Sequence, residues 1–167
     1  MQKLTREEKI ILEIQNNPGI RFRELMKMIG ITNGILSYYI TKLEKIGTVH
    51  VERKSGVSRF FMPDLTDDEL ILTQYLRMST PKKILLALLE GKKLTFKKIT
   101  EAIGMSPATT SFYLKKLVTN EIIIHTEYSP KKYSICNEIQ IANLISEYHP
   151  DLIENASVNL ADIFSSY

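Results

Sequence analysis

Cysteine is almost absent from this chain, because Cys136 is the only one among 167 residues. A lone cysteine excludes a disulfide within the chain and any metal site built from several thiolates. No apolar run approaches the roughly 20 residues that span a bilayer, and the first ten residues lack the apolar core of a secretory signal. We therefore expect a cytoplasmic protein without a membrane partner.

The sequence also lacks the motifs that mark common active sites. It contains no GxGxxG or Walker-type phosphate loop, no nucleophile elbow and no cluster of metal-ligating residues. Its histidines, His50, His125 and His149, do not recur at equivalent places in the chain, which is more typical of loop and hairpin residues than of a metal site. We expect no enzyme activity and no cofactor.

Positive charge is unevenly distributed, although the net charge is only +3. Residues 1–64 carry 11 basic and 7 acidic side chains, and residues 80–137 carry 10 and 4, so their net charges are +4 and +6. Residues 65–79 have one base and three acids, and residues 138–167 have five acids and no lysine or arginine, which gives −2 and −5. This asymmetry indicates that the two basic segments face a polyanion.

The two basic segments contain one pattern written twice, at residues 21–50 and 95–124, with an ungapped offset of 74. Further pairs keep their chemical character, such as Leu25 with Ile99. Two copies of a pattern predict two similar structural units. The identical pairs are Phe22/Phe96, Gly30/Gly104, Ser37/Ser111, Tyr39/Tyr113, Lys42/Lys116 and Leu43/Leu117.

Each copy predicts three helices followed by a β-hairpin, because helical spacing of apolar residues gives way to alternation. The second and third helices are joined by a tight turn at Gly30 or Gly104, which makes a helix-turn-helix. The elements of the first copy are a helix from the capping box at Thr5 to Asn17, helices over Phe22–Met28 and Asn33–Ile46, and strands near Val49–Val51 and Arg59–Met62. Those of the second copy are helices over Pro81–Glu90 and Phe96–Ile103, a third that starts at Ser106-Pro107, and strands over Ile122–Thr126 and Lys132–Ile135.

Three helices and a hairpin resemble a winged helix-turn-helix domain. The segment GILSYYITKLEKIGTVHVERKSGVSRFFM is similar to the recognition helix and wing of prokaryotic, especially archaeal, regulators of the ArsR and MarR kind, and SPATTSFYLKKL has the same character. The resemblance covers about residues 5–64 and 80–137 and implies a tandem winged-helix transcriptional regulator. One departure is that Asn120-Glu121 stands where the first copy has Ile46-Gly47.

The resulting fold class is mainly α with small hairpin wings (α+β). We predict winged-helix domains at residues 1–64 and 80–137, a linker helix at 65–79 and acidic amphipathic helices at 138–167. The helices at the end of the chain can fold back on the second domain or pair two subunits. We favour a homodimer, because regulators commonly dimerise to match two-fold operators.

The third helix of the first copy is predicted to face DNA with its polar side, opposite the apolar positions Leu36, Ile40 and Leu43. Asparagine can pair with adenine, serine and threonine can read base edges, and lysine can contact phosphates. Gly34 permits close approach of the backbone where a helix amino terminus favours phosphate. The predicted contact residues are Asn33, Gly34, Ser37, Tyr38, Thr41, Lys42 and Lys45.

The second copy and the two wings supply further candidate contacts. On the second recognition helix, Ala108 and Phe112 can touch a thymine methyl, although base-reading groups are fewer. Wing cations can reach phosphates or the minor groove, and for any single lysine a solvated charge is an equally good interpretation. The candidates are Ala108, Ser111, Phe112, Lys115 and Lys116 on the helix, and Arg53, Lys54, Arg59, Lys131 and Lys132 on the wings.

Tyr38 and Phe112 leave two interpretations open, since an outward aromatic can contact bases or pack against the wing. For the chain as a whole we predict a sequence-specific regulator of transcription that binds double-stranded DNA, with an unidentified effector if any. The alternative is a tandem winged-helix module for protein interaction, as in chromosome-segregation complexes, because fold alone does not decide function. Polar residues on the helix face and basic wings favour DNA, since an interaction module does not require them.

Overall fold

The computed structural model describes residues 4–149 and 151–152. The chain divides into two compact units, Met1–Leu70 and Ile71–Tyr167. In the described residues, helices are the main element and each unit contains one three-stranded antiparallel sheet. The predicted fold class is confirmed. No described helix is long and apolar enough to cross a membrane.

The first unit begins with a helix that is capped as predicted. In α1 (Arg6–Asn16), the Thr5 hydroxyl accepts from the Glu8 amide, and the Thr5 amide donates to the Glu8 carboxylate at 2.7 Å. The elements that follow are β1 (Ile20–Arg21), α2 (Phe22–Ile29), α3 (Asn33–Lys45), β2 (His50–Lys54) and β3 (Val57–Phe61). The hairpin of β2 and β3 is the wing, and β1 pairs with β3 at Ile20↔Phe60.

Sequence reasoning missed β1, because a strand of two residues has no detectable alternation. The core of the first unit lies between its helices and the base of the wing. The buried side of α3 is the one predicted from its spacing, with Leu36, Ile40 and Leu43 all nearly inaccessible. This burial turns the opposite side of α3 outward. The other core residues are Ile10, Ile14, Ile20, Leu25, Val49 and Phe60.

Helix α4 (Asp67–Leu76) lies within the segment predicted as a linker, and the boundary between the units falls inside it. Its start is capped by Thr66, whose hydroxyl and amide both contact the Glu69 carboxylate at 2.9 Å. In the second unit, α4 contributes Leu72 and Leu76 to the core. The last part of the predicted linker helix therefore packs as part of the second unit.

The second unit repeats the order of the first. Its elements are α5 (Ser79–Gly91), β4 (Leu94–Thr95), α6 (Phe96–Ile103), α7 (Pro107–Thr119), β5 (Ile123–His125) and β6 (Lys132–Ile135). The pairing Leu94↔Tyr133 in this sheet takes the place of Ile20↔Phe60 in the first. Gly30 and Gly104 end the equivalent helices α2 and α6 in the left-handed conformation, at φ 71° and 64°. The internal repeat is thus a repeat of structure.

The corner between the recognition helix and the wing has the same conformation in both units despite its different sequence. Gly47 has φ 75° in the first unit and Glu121 has φ 56° in the second. The turn is closed by matching hydrogen bonds, Gly47 N to Glu44 O at 3.1 Å and Glu121 N to Val118 O at 3.0 Å. Because side chains rarely adopt positive φ, Glu121 holds this corner under local strain.

Helix α8 (Glu138–Tyr148) folds back into the second unit. Ile141, Leu144 and Ile145 are buried in the same core as α5 and α7, whereas Ile139 is 54% exposed. The spacing of Ile139, Ala142 and Ile145 predicts one apolar side, of which Ala142 and Ile145 are buried and Ile139 is not. Of the two alternatives for this helix, folding back is the one observed. The helix predicted to start at Asp151 lies largely outside the described residues.

Candidate nucleic-acid interface

The polar side of α3 forms a shallow depression on the surface of the first unit. Six of the residues predicted from the sequence line it together, and its volume is about 550 Å³. Most of these side chains are exposed, and Ser37 is half-buried. The lining residues are Gly34, Ser37, Tyr38, Thr41, Lys42 and Lys45. An exposed depression along one helix face, lined by hydroxyls, the Tyr38 ring and lysine side chains, is a surface that can enter a DNA groove.

The amino terminus of α3 is arranged without a side-chain cap. Thr32 occupies the cap position but accepts no hydrogen bond through its hydroxyl, whereas the Ser37 hydroxyl donates to Asn33 Oδ1 at 3.1 Å. That bond orients the Asn33 side chain at the start of the helix. A Cβ added to Gly34 would meet no atom within 4 Å, so the fold does not require glycine there.

Lys42 is already engaged with an acidic partner from α1. Its ammonium lies 2.5 Å from the Glu7 carboxylate, and both side chains are partly exposed. The hydrogen bond that Lys42 donates to Glu7 is the main reason that the pKa of Lys42 is raised above its ordinary value. For Lys42 to contact a DNA phosphate, it must exchange Glu7 for that phosphate.

Arg53 joins the wing to the recognition helix. Its guanidinium donates two hydrogen bonds to the Glu44 carboxylate, at 2.6 and 2.7 Å. Hydrogen bonding to Arg53 lowers the pKa of Glu44, and the same contact raises the pKa of Arg53. A bidentate pair of this kind fixes orientation as well as charge. Arg53 therefore positions the wing of the first unit, in addition to any contact with DNA.

Arg59 is turned toward the body of the first unit. Its guanidinium donates to the Gly19 carbonyl at 2.9 Å, which ties β3 to the turn after α1. The side chain is half-buried, whereas Lys54 at the end of β2 is exposed. Among the predicted wing cations of the first unit, Arg53 and Lys54 are thus exposed and Arg59 is not.

The outward side of α7 carries the remaining helix candidates, and all are exposed. The Ser106 hydroxyl caps this helix by accepting from the Thr109 amide at 3.2 Å, and Pro107 occupies the first helical position. The amino terminus of α7 is therefore closed by its own cap, unlike that of α3. The residues on this side are Ala108, Ser111, Phe112, Lys115 and Lys116.

The two outward aromatics have the same local environment in both units. Tyr38 is 66% exposed and contacts Tyr39 edge-on at 5.3 Å between ring centroids, and Phe112 is 53% exposed and contacts Tyr113 at 5.1 Å. Lys116 Nζ lies over the Phe112 ring, 4.5 Å from its centroid. These rings rest on their own helices and present an apolar surface to solvent.

The wing of the second unit carries Lys131 and Lys132, both exposed. Sequence reasoning did not select Tyr128, which lies in the same turn and is 84% exposed. It also did not select His125 and Tyr133, whose rings meet at 5.8 Å beside α7. A comparison of the two copies could have indicated His125, because it stands where the first copy has the apolar Val51.

Two sequence families match the chain, one in each unit. Residues 4–50 match the family described as winged helix-turn-helix DNA-binding, and residues 78–125 match the bacterial regulatory protein, arsR family. Both matches contain a recognition helix, α3 in one and α7 in the other. The chain therefore carries two winged helix-turn-helix domains in tandem, as predicted. These matches support a DNA-binding regulator of transcription.

These families are DNA-binding regulatory domains and not enzymes, which supports the prediction that the chain is no enzyme. No curated protein sequence matches the chain. A solved structure of a Lactococcus lactis ZitR mutant is 18% identical, with 80% of this chain and 88% of that chain covered and a TM-score of 0.37. That likeness is too low to bear on fold or function.

Proposed function

We propose that the protein recognises a specific sequence in double-stranded DNA, with α3 in the major groove, α7 on a second stretch of the duplex, and both wings beside them. The depression on α3 carries this proposal. It gathers hydroxyl, aromatic and ammonium groups on one exposed side, while Leu36, Ile40 and Leu43 anchor the other side in the core. Hydroxyl and amide groups suit base edges, and the lysines suit phosphates.

The two recognition helices are proposed to divide these tasks. Helix α3 offers an oriented Asn33 and an open amino terminus with Gly34, whereas α7 offers two lysines and the apolar Phe112. We therefore assign sequence reading mainly to the first unit. The second unit, in the segment with the higher net charge, chiefly anchors the protein to the phosphate backbone.

The experiment is a titration of the full chain with a duplex selected from a random pool and with a scrambled duplex, over about 50–200 mM salt. Affinity for both duplexes should fall steeply with salt, and the selected duplex should bind more tightly at every salt concentration. Lys42→Gln should reduce the salt slope by about one. Absence of duplex binding at low salt would overturn the proposal and favour a protein partner.

Lys9→Gln is the matched control for Lys42→Gln. Lys9 is exposed on α1, two residues from the Glu7 that contacts Lys42, and a separation of two residues places it on the opposite side of that helix. The control removes the same charge from the same unit, but at a place away from the α3 face. It should therefore leave the salt slope unchanged. An equal loss in both variants would mean that net charge, and not this helix face, governs binding.

The proposed homodimer and cytoplasmic location accompany this function. Because α8 buries its apolar side in the second unit, it cannot also offer that side to another subunit. Residues 153–167 then remain as the dimerising segment, and they lie outside the described residues. Equilibrium sedimentation of the full chain and of a chain ending at residue 152 tests this, since two monomers would refute it.

A further inference from the structure

A cleft separates the recognition helix from the wing in the second unit. It has a volume of about 210 Å³ and lies between α7 and the paired strands β5 and β6. Leu114 and Val118 form its apolar wall, and hydrogen-bonding groups line the rest. The polar lining residues are Ser111, Lys115, Thr119, His125 and Tyr133.

The cleft is suited to an anion, because the described residues that line it include no carboxylate. Lys115 supplies an ammonium, and hydroxyls of serine, threonine and tyrosine supply donors. His125 Nδ1 lies 3.2 Å from the Thr126 carbonyl oxygen, and its ring meets Tyr133 edge-on, so the imidazole is held in place. A lysine ammonium with several neutral donors is a common phosphate-binding set.

The first unit serves as an internal control for this cleft. Strand pairing places Val51 opposite Phe60 there, where the second unit has His125 opposite Tyr133. Phe60 is 1% exposed and belongs to the core, and Val51 packs against that core. Val118 stands where the first unit has Glu44, which is paired with Arg53. We call the contact between the recognition helix and the wing strands the seam. In the first unit this seam is apolar and bridged by an ion pair, and in the second it is open and polar.

The volume of the cleft limits the size of the ligand that it can hold. Sites for drug-sized molecules usually measure about 300–1,000 Å³, and this cleft is smaller. We propose that it is a binding site for a phosphate group, carried by the DNA backbone or by a small phosphorylated molecule. Binding of a free anion does not depend on the proposed function, whereas binding of a DNA phosphate rests on it.

The first arm of the test uses the full chain without DNA, titrated with inorganic pyrophosphate at constant ionic strength and followed by amide chemical shifts. Shifts should saturate at Ser111, Lys115 and His125 and should be absent from the equivalent seam of the first unit. Lys115→Gln should weaken binding about tenfold, as expected for loss of a charged hydrogen bond. Lys83→Gln, at an exposed lysine on α5 of the same unit, should leave it unchanged.

Val118→Glu is the decisive variant, because it places in the cleft the carboxylate that the first unit has at this position. Val118→Gln, of the same size and uncharged, controls for folding and for filled space. The glutamate variant should abolish pyrophosphate binding, and the glutamine variant should retain part of it. Equal binding by both variants would overturn the proposal.

The second arm identifies the source of the phosphate. If the group belongs to DNA, Val118→Glu should lower duplex affinity and reduce the salt slope by about one relative to Val118→Gln. An unchanged slope together with lost pyrophosphate binding would assign the cleft to a small phosphorylated molecule. If neither arm responds, the cleft binds no phosphate. Failure of the wild-type chain to bind any duplex would refute the proposed function and leave the first arm intact.

Discussion

The two units differ most where the recognition helix meets the wing. In the first, Glu44 and Arg53 bridge α3 and β2 above a seam packed with apolar side chains, and in the second the corresponding seam is a polar cleft. The buried faces of α3 and α7 share apolar residues at Leu43/Leu117 and at Ile40/Leu114, whereas Thr110 takes the place of Leu36. The comparison teaches that the repeat preserves its core while its seam and outer face change. Chemistry can diverge there because exposed positions contribute little to stability.

The largest expected effect concerns base reading by α3. Asn33→Ala should reduce discrimination between the selected and scrambled duplex by about 1–3 kcal/mol, because one bidentate base contact is lost. Competition binding with the two duplexes measures it. Ser111→Ala, at a polar residue on the outward side of α7, serves for comparison, and it should weaken both duplexes alike. If Asn33→Ala also weakens both alike, the proposed division of tasks fails.

The corner residues offer a second test. Glu121→Gly should raise the free energy of unfolding by about 1 kcal/mol, because glycine relieves the left-handed strain. Gly47→Glu in the first unit should lower it by a similar amount. Urea unfolding measures both. Glu121→Ala removes the charge but keeps the Cβ, so a stabilisation equal to that of the glycine variant would attribute the effect to charge and contradict strain.

The equivalent positions Gly34 and Ala108 allow an exchange. Gly34→Ala should stabilise the chain by about 0.5–1 kcal/mol, since glycine inside a helix is unfavourable and space for a Cβ is present. The same variant should bind DNA more weakly if the backbone of α3 approaches a phosphate. Ala108→Gly, the reverse change in the second unit, should lower the stability of the chain. It should not change any approach of the α3 backbone to DNA. Unchanged DNA affinity in Gly34→Ala would exclude close backbone approach.

The smallest effect concerns the bridge between Glu44 and Arg53. Either Glu44→Gln or Arg53→Gln should cost about 0.2–1 kcal/mol of stability, because the pair is largely exposed. Only Arg53→Gln should also reduce the salt slope of DNA binding, if Arg53 contacts phosphate. Equal slopes in the two variants would leave Arg53 as a positioning residue alone.

The bridge also gives a pH dependence of known sign. Since the pKa of Glu44 is lowered in the folded protein, its contribution to stability is present above the unfolded pKa and is lost as the pH falls through the folded one. Acid unfolding of wild type and Glu44→Gln should therefore converge at low pH. A constant difference between them at all pH values would contradict this linkage.

Much of the fold could be predicted because the repeat carries strong local signals. The predicted bounds Phe96–Ile103 match the observed helix, which Gly104 ends as expected and which the Thr95 hydroxyl caps at its start. The orientation of α8 was less predictable, because its apolar residues fit more than one helix face and the choice depends on the core it meets. Propensity alone does not resolve such a choice.

The candidate site likewise has features that the sequence predicts and features that depend on tertiary packing. The six residues around the α3 depression could be grouped from helical spacing alone. The partners of Lys42, Arg53 and Arg59 could not, because Glu7, Glu44 and the Gly19 carbonyl come close only through tertiary packing. The cleft beside α7 depends on side chains from a helix and two strands, which no single spacing brings together. The predicted contact residues themselves stay predictions.

The burial of α8 sets where this chain can be cut. Ile141, Leu144 and Ile145 fill the core that α5 and α7 also line, so a fragment that stops at residue 137 would open that core to water. Anyone who transplants the second domain into another protein has to carry this helix along. The second winged-helix domain therefore extends beyond the sequence repeat at its carboxyl end and includes α8.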